Sequence, residues 1–475
     1  MIVPIIKKEI LNNVFSLRFL VTFILLLIVI PVMFFILGDD YVRRVDDYSQ
    51  RQNELENYLR HYAHFNRIGS ILYPAQPPIP MHALVRGLSA EVNIEEFHND
   101  PLPVMFPLID LTLIITVFLG LAALLFSYDS VAGEKEDGTL KLILSNRISR
   151  SKVILGKVSG GVLTLLIPLI ASLLLGMLFI LAHPRISWSG EDWGALVLIV
   201  FGGVLYISLF YCLGLFISSR HHTSSASIIT AIFVWVLFVL VIPNLSPYAA
   251  SLVIKTPSNI KIAREVDRLS DTERDQLGNR LAEQRSQAVV KKYPFLAEQL
   301  TEEERDRRIA EDLDYKQAYT EMREEIQQAW NEANRIQSKK VEDIRRDLEL
   351  KENAQTSLSR SLSMISPLSN LVYLVTDLSS TGMKNQEYFG RLYAAWSFSF
   401  GEYRERKIDE MHRQNPAVDA WNTPVDMSDR PAFIYREEPL ADRLKATLVY
   451  FMLLAGFILV FFTAAFLSFI RYDVR

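Results

Sequence analysis

Apolar and polar residues are segregated along this chain into long blocks. Six apolar runs stand out, at 19–37, 108–126, 158–181, 195–217, 226–242 and 446–470. Each is about 20 residues long, enough at ~1.5 Å per residue to cross the ~30 Å hydrocarbon layer of a bilayer. The pattern therefore predicts six transmembrane helices. Pro31 predicts a kink in the first, and Pro243 closes the fifth. No small-residue cleavage pattern follows the first run, so it is expected to be a retained span and not a signal peptide.

The polar blocks have patterns of their own. In 1–18, Ile5, Ile6, Ile10, Leu11 and Val14 fall on one helical face with Lys7, Lys8 and Glu9 opposite, which predicts a helix lying in a membrane interface. Region 38–106 opens with a helical pattern (41–65) and continues through a proline-rich run (71–80) that must be extended or turned. The loop 183–194 carries Trp188 and Trp193, and a tight polar link, 218–225, precedes span five. Region 244–443 is the larger polar block. Within 257–352, Ile309, Leu313, Tyr319, Met322, Ile326, Trp330, Ala333 and Ile336 recur mostly at three- and four-residue steps. With 260–290 as a partner and Tyr293-Pro294 as the break, a long antiparallel helical hairpin is expected, roughly 65 Å in reach for about 45 residues. Pro367 starts an amphipathic helix with Leu368, Leu371, Val372, Val375 and Leu378 on one face. The aromatic run from Tyr388 to Tyr403 reads either as domain core or as a surface in the outer interface. The turn-rich stretch 416–439 predicts irregular structure or short strand.

Composition narrows the class. The chain has 475 residues, 50% hydrophobic and 22% charged, which agrees with membrane spans plus soluble regions. A net charge of −4 gives no reason to invoke nucleic acid, and one cysteine, Cys212, leaves no disulfide framework or cysteine metal site. The short polar segments on one side hold Lys7, Lys8, Arg18, Lys135, Lys141, Arg147, Arg150, Lys152, Lys157, Arg220, Arg471 and Arg475, against Arg185 alone in the short loop opposite. The positive-inside rule then places both termini in the cytoplasm and both long polar regions, 38–106 and 244–443, outside.

Candidate chemistry is sparse. There is no P-loop, H-E-x-x-H or G-x-S-x-G motif. His221-His222 has no neighbouring carboxylate, so a polar turn is the simpler reading than a metal site. Asp110 is the one ionisable residue in a span, near its outer end, which speaks against ion-coupled transport. The remaining oddity is 127–157, a charged, amphipathic segment between spans two and three where a few turn residues would do. Asp137-Gly138 signals a turn, and Thr139 can cap a helix whose Leu140, Ile143, Leu144 and Ile148 share a face. Such a helix could lie on anionic headgroups. The acidic trio Glu134, Glu136 and Asp137 fits a protein partner better.

The run from Gly133 to Lys157 resembles the cytoplasmic coupling segment of ABC-2 type exporter permeases, in Glu134, Glu136, Gly138, Thr139, Leu140, Leu144, Ser145, Ser149, Arg150, Gly156 and Lys157. It departs at Arg147, where proline is usual. The N-terminal helix and the link between spans four and five are also similar. The external runs 77–88 (PPIPMHALVRGL) and 365–382 (ISPLSNLVYLVTDLSSTG) resemble the subgroup with a domain of unknown function of the DUF3526 type. The core is similar to nitrous-oxide-reductase-maturation and gliding-type permeases. The resemblance implies a mainly α membrane protein: interfacial helix (1–18), six transmembrane helices, coupling helix within 127–157, and a helical extracytoplasmic domain with a long antiparallel hairpin. It implies a multi-pass permease of the inner (cytoplasmic) membrane that is not itself an enzyme and binds no cofactor. A dimeric ABC ATPase subunit would hold ATP and Mg, and a second permease copy or related permease would complete the transporter. The interface with the ATPase is expected at Glu134, Glu136, Asp137, Gly138, Thr139, Leu140, Ile143, Leu144, Arg147 and Arg150. Membrane lipid is a further expected partner, and the external hairpin is either a stalk for an envelope partner or a lid. The competing reading is a non-transporting signalling or tethering protein that uses that hairpin.

Overall fold

Long apolar stretches satisfy their backbone groups internally as helix, and among the described residues the chain contains no strand. The computed structural model describes residues 2–71, 74–87, 109–145, 149–298, 300–415 and 418–471. The helices are α1 (Ile2–Val14), α2 (Leu17–His61), α3 (Phe65–Ile71), α4 (Leu111–Leu113, continued by wider π-turns at Ile114–Leu119 and by Gly120–Ser127), α5 (Ala132–Glu136) and α6 (Thr139–Ser145). They continue with α7 (Arg150–Ala182), α8 (Gly190–Arg220), α9 (Ser224–Val236, continued by Leu237–Val241 and Ile242–Val253), α10 (Asn259–Asp267, continued by Arg268–Glu273 and Arg274–Lys292) and α11 (Glu302–Glu311). The last are α12 (Leu313–Ser363), α13 (Pro367–Leu378), α14 (Met383–Gln414) and α15 (Leu440–Ile470). Six of them, α2, α4 with α5, α7, α8, α9 and α15, are long and apolar enough to cross a membrane.

The chain divides into two units, one of 1–243 with 363–475 and one of 244–362. The first is organised around α8, which packs on α4, α7, α13 and α15. Its Tyr206, Phe210 and Tyr211 are fully buried beside Phe34 of α2, Leu165 and Leu169 of α7, and Tyr450 and Leu454 of α15. Local caps set the helix starts. Ser16 accepts from Phe19 N at 3.2 Å and turns α1 into α2, and Asp110 accepts from Leu113 N at 2.9 Å at the head of α4. Asp110 is thus a capping residue.

Helix α13 differs from its amphipathic expectation. At ~1.5 Å per residue it is too short to span, yet Leu371, Leu374, Val375 and Leu378 lie in the main core, and its polar Ser369, Asn370 and Thr376 are buried too. The 3₁₀ turn Pro80–Ala83 and the following Leu84 and Val85 join the same core. The runs 77–88 and 365–382 meet at Gly87 (φ +71°), where a Cβ would collide with Thr381. Only glycine suits both that backbone and that approach. His82, in this turn, donates no charge to the fold. Burial, then Arg44 and Arg86, pushes its pKa down from 6.5 to about 4. The folded state binds fewer protons there than the unfolded chain, so this contribution to stability is complete above pH 6.5 and is lost as pH falls toward 4. A melting-temperature series between those limits is expected to fall less steeply for His82→Asn than for the native chain.

The aromatic run of α14 is divided: Phe389, Phe400 and Tyr403 are buried, and Phe398 is 71% exposed. Phe400 and Tyr403 are buried with Leu59, Ala63, Phe65, Ile68, Val425 and Met427. Trp396 Nε1 donates to Pro431 O at 2.9 Å, and Tyr403 donates to Asp429 at 2.6 Å. The stretch after α14 is irregular, with Val425 N bonded to Ala63 O at 2.9 Å and Met427 N to Leu59 O at 3.1 Å.

The second unit is helical and highly charged. Arms α10 and α12 run antiparallel, as the pairs Lys292–Glu321 (2.8 Å), Arg285–Glu325 (3.2 Å) and Lys340–Glu273 (3.9 Å) require. Trp330 lies against Gly278, and small residues Ala318, Ala329 and Ala333 are buried along the seam. Exposed pairs of this kind add about 0–1 kcal/mol each, so the seam's packing carries the unit.

Candidate functional site

The polar segment between α4 and α7 is bound into the bundle by side chains from four other elements. Past Ser127 the chain passes through a short turn, 128–131, into α5, and Ser218 Oγ of α8 accepts from Val131 N (3.0 Å) and Ala132 N (2.9 Å). These are donors that the start of α5 leaves without helical partners. Arg18 of α2 donates to Asp129 (2.7 Å), Leu125 O (3.0 Å) and Tyr128 Oη (3.0 Å). Ser227 of α9 donates to Tyr128 O at 2.6 Å.

Two adjacent charges on α5 match two helix ends. Lys135 Nζ donates to Ser219 O (2.5 Å) and His221 O (3.1 Å), at the carbonyl-rich end of α8. Glu136 accepts from Ser224 N at 3.0 Å, at the amide-rich start of α9. Cation at a C-terminus and anion at an N-terminus is the favourable arrangement for both helix dipoles. His221 therefore serves this segment through its carbonyl.

The centre of the site is Lys157, on α7 and 2% exposed. Its ammonium donates to Glu134 Oε1 (2.7 Å), Ser130 O (2.9 Å) and Glu9 Oε1 (3.2 Å). Three N–H groups meet three acceptors, so the buried cation is fully satisfied. Glu134 Oε2 is buried and has no hydrogen-bond partner. Glu9 lies 8% exposed and is the one buried residue of α1. This corrects the expected placement of Glu9 on the outward polar face. It is four residues from Ile5 and shares its face, and both lie on α7 where Gly156 and Gly160 allow close approach. A Cβ on Gly160 would sit 2.7 Å from Glu9 Cβ. Lys7 and Lys8 are exposed.

Helix α5 ends at Gly138 (φ +71°), with Asp137 N bonded to Gly133 O at 2.9 Å and Gly138 N to Lys135 O at 3.2 Å. Thr139 is the first residue of α6, not its cap, and its hydroxyl donates to Glu134 O at 3.4 Å. Leu140 is buried with Val131, Val153, Ile154, Leu215, Ala465 and Phe469. Arg150 donates to Phe469 O (3.5 Å) and Ile470 O, closing the C-terminal end of α15.

The acidic trio thus has three different surroundings: Glu134 is turned inward, Glu136 caps α9, and Asp137 is exposed beside Gly138 and Thr139. Lys141 and Leu142 are exposed as well, Leu142 at 68%. Ile143 and Leu144 belong to the backbone of α6, and Arg147 and Ile148 lie outside the described residues. Glu9, Ser218 and Leu142 were not singled out by the sequence pattern. A lysine at the foot of an apolar run beside Gly156 and Gly160 was the available signal for the buried contact. Among the described residues no group of three or more histidine, cysteine or acidic side chains is placed to hold a metal.

The family described as ABC-2 family transporter protein matches this chain over residues 3–474. Over 137 residues the chain is 34% identical to the probable ABC transporter permease protein NosY of Pseudomonas aeruginosa. That match covers 27% of this chain and 47% of the relative, so the chain spans about half the length of the curated relative it matches. With six apolar helices and a family match across nearly its whole length, the chain belongs to the ABC-2 family of transporter proteins, as a membrane component of an ABC transporter.

Proposed function

We propose that this chain is the permease subunit of an ATP-driven exporter, and that a separate ATP-hydrolysing subunit docks on the turn and helix from Asp137 to Leu142. The observation that supports this best is the division of labour in 128–150. Arg18, Lys157, Ser218, Lys135 and Glu136 bind the segment to α1, α2, α7, α8 and α9, while Asp137, Gly138, Thr139, Lys141 and Leu142 face outward. A force applied to the outward residues reaches several spans at once. ATP and Mg belong to the partner in this reading, and closure of two ATPase subunits rocks the spans of two permease copies between inward and outward states. Both termini and the docking turn lie on the cytoplasmic side of the inner membrane, as the distribution of Lys and Arg in the short segments indicates.

The test is capture of the ATPase subunit from a co-expressing membrane. Leu142→Glu places a charge on an exposed apolar side chain and is expected to weaken capture about tenfold or more, ~1.4 kcal/mol. Undiminished capture would remove Asp137–Leu142 from the interface. The antiparallel charged arms of the second unit suit a stalk for an envelope partner. Deleting 260–352 separates the two roles: a tether loses its partner and keeps the ATPase response, and a transport element loses the response.

A further inference from the structure

We propose that Lys157, Glu9 and Glu134 form an ionic pin that makes α1, α5 and span α7 move as one body when the ATPase subunit acts. Lys157 is then a positioning residue for coupling. The proposal rests on the coupling reading above and goes further, by naming the joint through which a push on the turn reaches the bundle.

Three observations carry it. The ammonium of Lys157 has all three hydrogens committed, each to a different segment or turn: Glu9 on α1, Ser130 in the turn between α4 and α5, and Glu134 on α5. The side chains are shielded, 3% exposed for Lys157, 11% for Glu9 and 17% for Glu134. In such surroundings a separated charge has no water to replace its partner, so sliding one element against the others strands charge, and moving all three together does not. Finally, α1 is seated on α7 at Gly156 and Gly160, whose missing side chains let Ile5 and Glu9 of α1 press directly on the α7 backbone. Such close contact resists shear in the same direction as the ion pairs. The two carboxylates facing one ammonium, with Glu134 Oε2 lacking a hydrogen-bond partner, show where the pin is weakest. Loss of Glu134 from the pin would free α5 while α1 stayed on α7.

The experiment uses the full chain in complex with its ATPase subunit in nanodiscs. Cys212 is buried, so spin labels can be directed to exposed positions through Lys8→Cys with Lys152→Cys, and Lys8→Cys with Glu136→Cys, which lies on α5 outside the docking turn. Both label-to-label distances are expected to be the same without nucleotide and with ATP and vanadate. A nucleotide-dependent change in either distance, with the triad intact, would overturn the pin. In the neutral combination Lys157→Met, Glu9→Gln and Glu134→Gln, the distances are expected to broaden and to respond to nucleotide. Permease-dependent stimulation of ATP hydrolysis is expected to disappear while the ATPase subunit is still captured. If that combination lowers the melting temperature alone and leaves distances and stimulation as in the native chain, the triad is only a structural tie and the proposal fails. Absence of ATPase capture by the native chain would overturn the coupling reading itself and the pin's role with it, whereas the distance measurements overturn the pin alone.

Discussion

Lys157→Met is expected to destabilise the membrane unit by about 3–5 kcal/mol, read as a large fall in melting temperature in detergent. The side chains are of similar length, so the loss is electrostatic and not a matter of volume. Methionine leaves Glu9 and Glu134 facing each other with the ammonium gone, and leaves Ser130 O without its donor. A carboxylate stranded away from water costs several kcal/mol, or takes up a proton to avoid that cost. The neutral combination with Glu9→Gln and Glu134→Gln removes the stranded charges together with the cation, and is expected to recover most of the loss. If the single and triple variants melt alike, the ion pairs are not what the single substitution disrupts. Because the three side chains lie so far from solvent, added salt is expected to change the difference little.

How much of this was legible in the sequence depends on which force acts at each place. The six long apolar helices follow from hydropathy because a bilayer demands about 20 apolar residues and little else competes. Helix α13 was legible as a helix and not as a buried one. Its polar residues read as a solvent face, but Asn370 Nδ2 donates to Met364 O (2.7 Å) and Ser366 O (2.9 Å), and Thr376 donates to Val372 O at 2.8 Å. Side chains that bond their own helix's backbone can be buried at small cost, and periodicity has no means of registering that. Glu9 differs for another reason: its charge suits an outward face, but its i,i+4 relation to Ile5 turns it toward α7, where Lys157 supplies a buried cation 3.2 Å away. The acidic trio was legible as unusual for a membrane surface. Its division into an inward, a capping and an outward carboxylate was not, because Lys157 and Ser224 are distant in sequence from α5 or separated from it by whole spans.

At the other end of the bundle, Arg443→Met is expected to cost about 3 kcal/mol. Arg443, 2% exposed near the start of α15, donates to Leu378 O (2.8 Å), Ser380 Oγ (3.0 Å) and Glu191 Oε2 (3.3 Å). One cation thereby joins α8, α15 and the turn after α13, where Ser380 holds a left-handed backbone (φ 56°) that few non-glycine residues adopt. The carbonyl of Leu378 ends α13, so the guanidinium also meets the negative pole of that helix. Glu191 is 53% exposed, and water takes over part of its role when Arg443 is lost, which makes the expected cost smaller than at Lys157. The two sites are far apart. Arg150, at the foot of α7, bonds the last carbonyls of α15, and Arg443 lies about 40 Å back along that helix. Even with Lys157 two turns up α7, some 30 Å separate the two cations. The double variant Lys157→Met/Arg443→Met is therefore expected to lose the sum of the single effects to within about 0.5 kcal/mol. A larger coupling term in that cycle would mean that the two ends of the bundle respond to each other through α8, which packs on both α7 and α15, and that the fold transmits strain from the docking turn to the buried α13 even at rest.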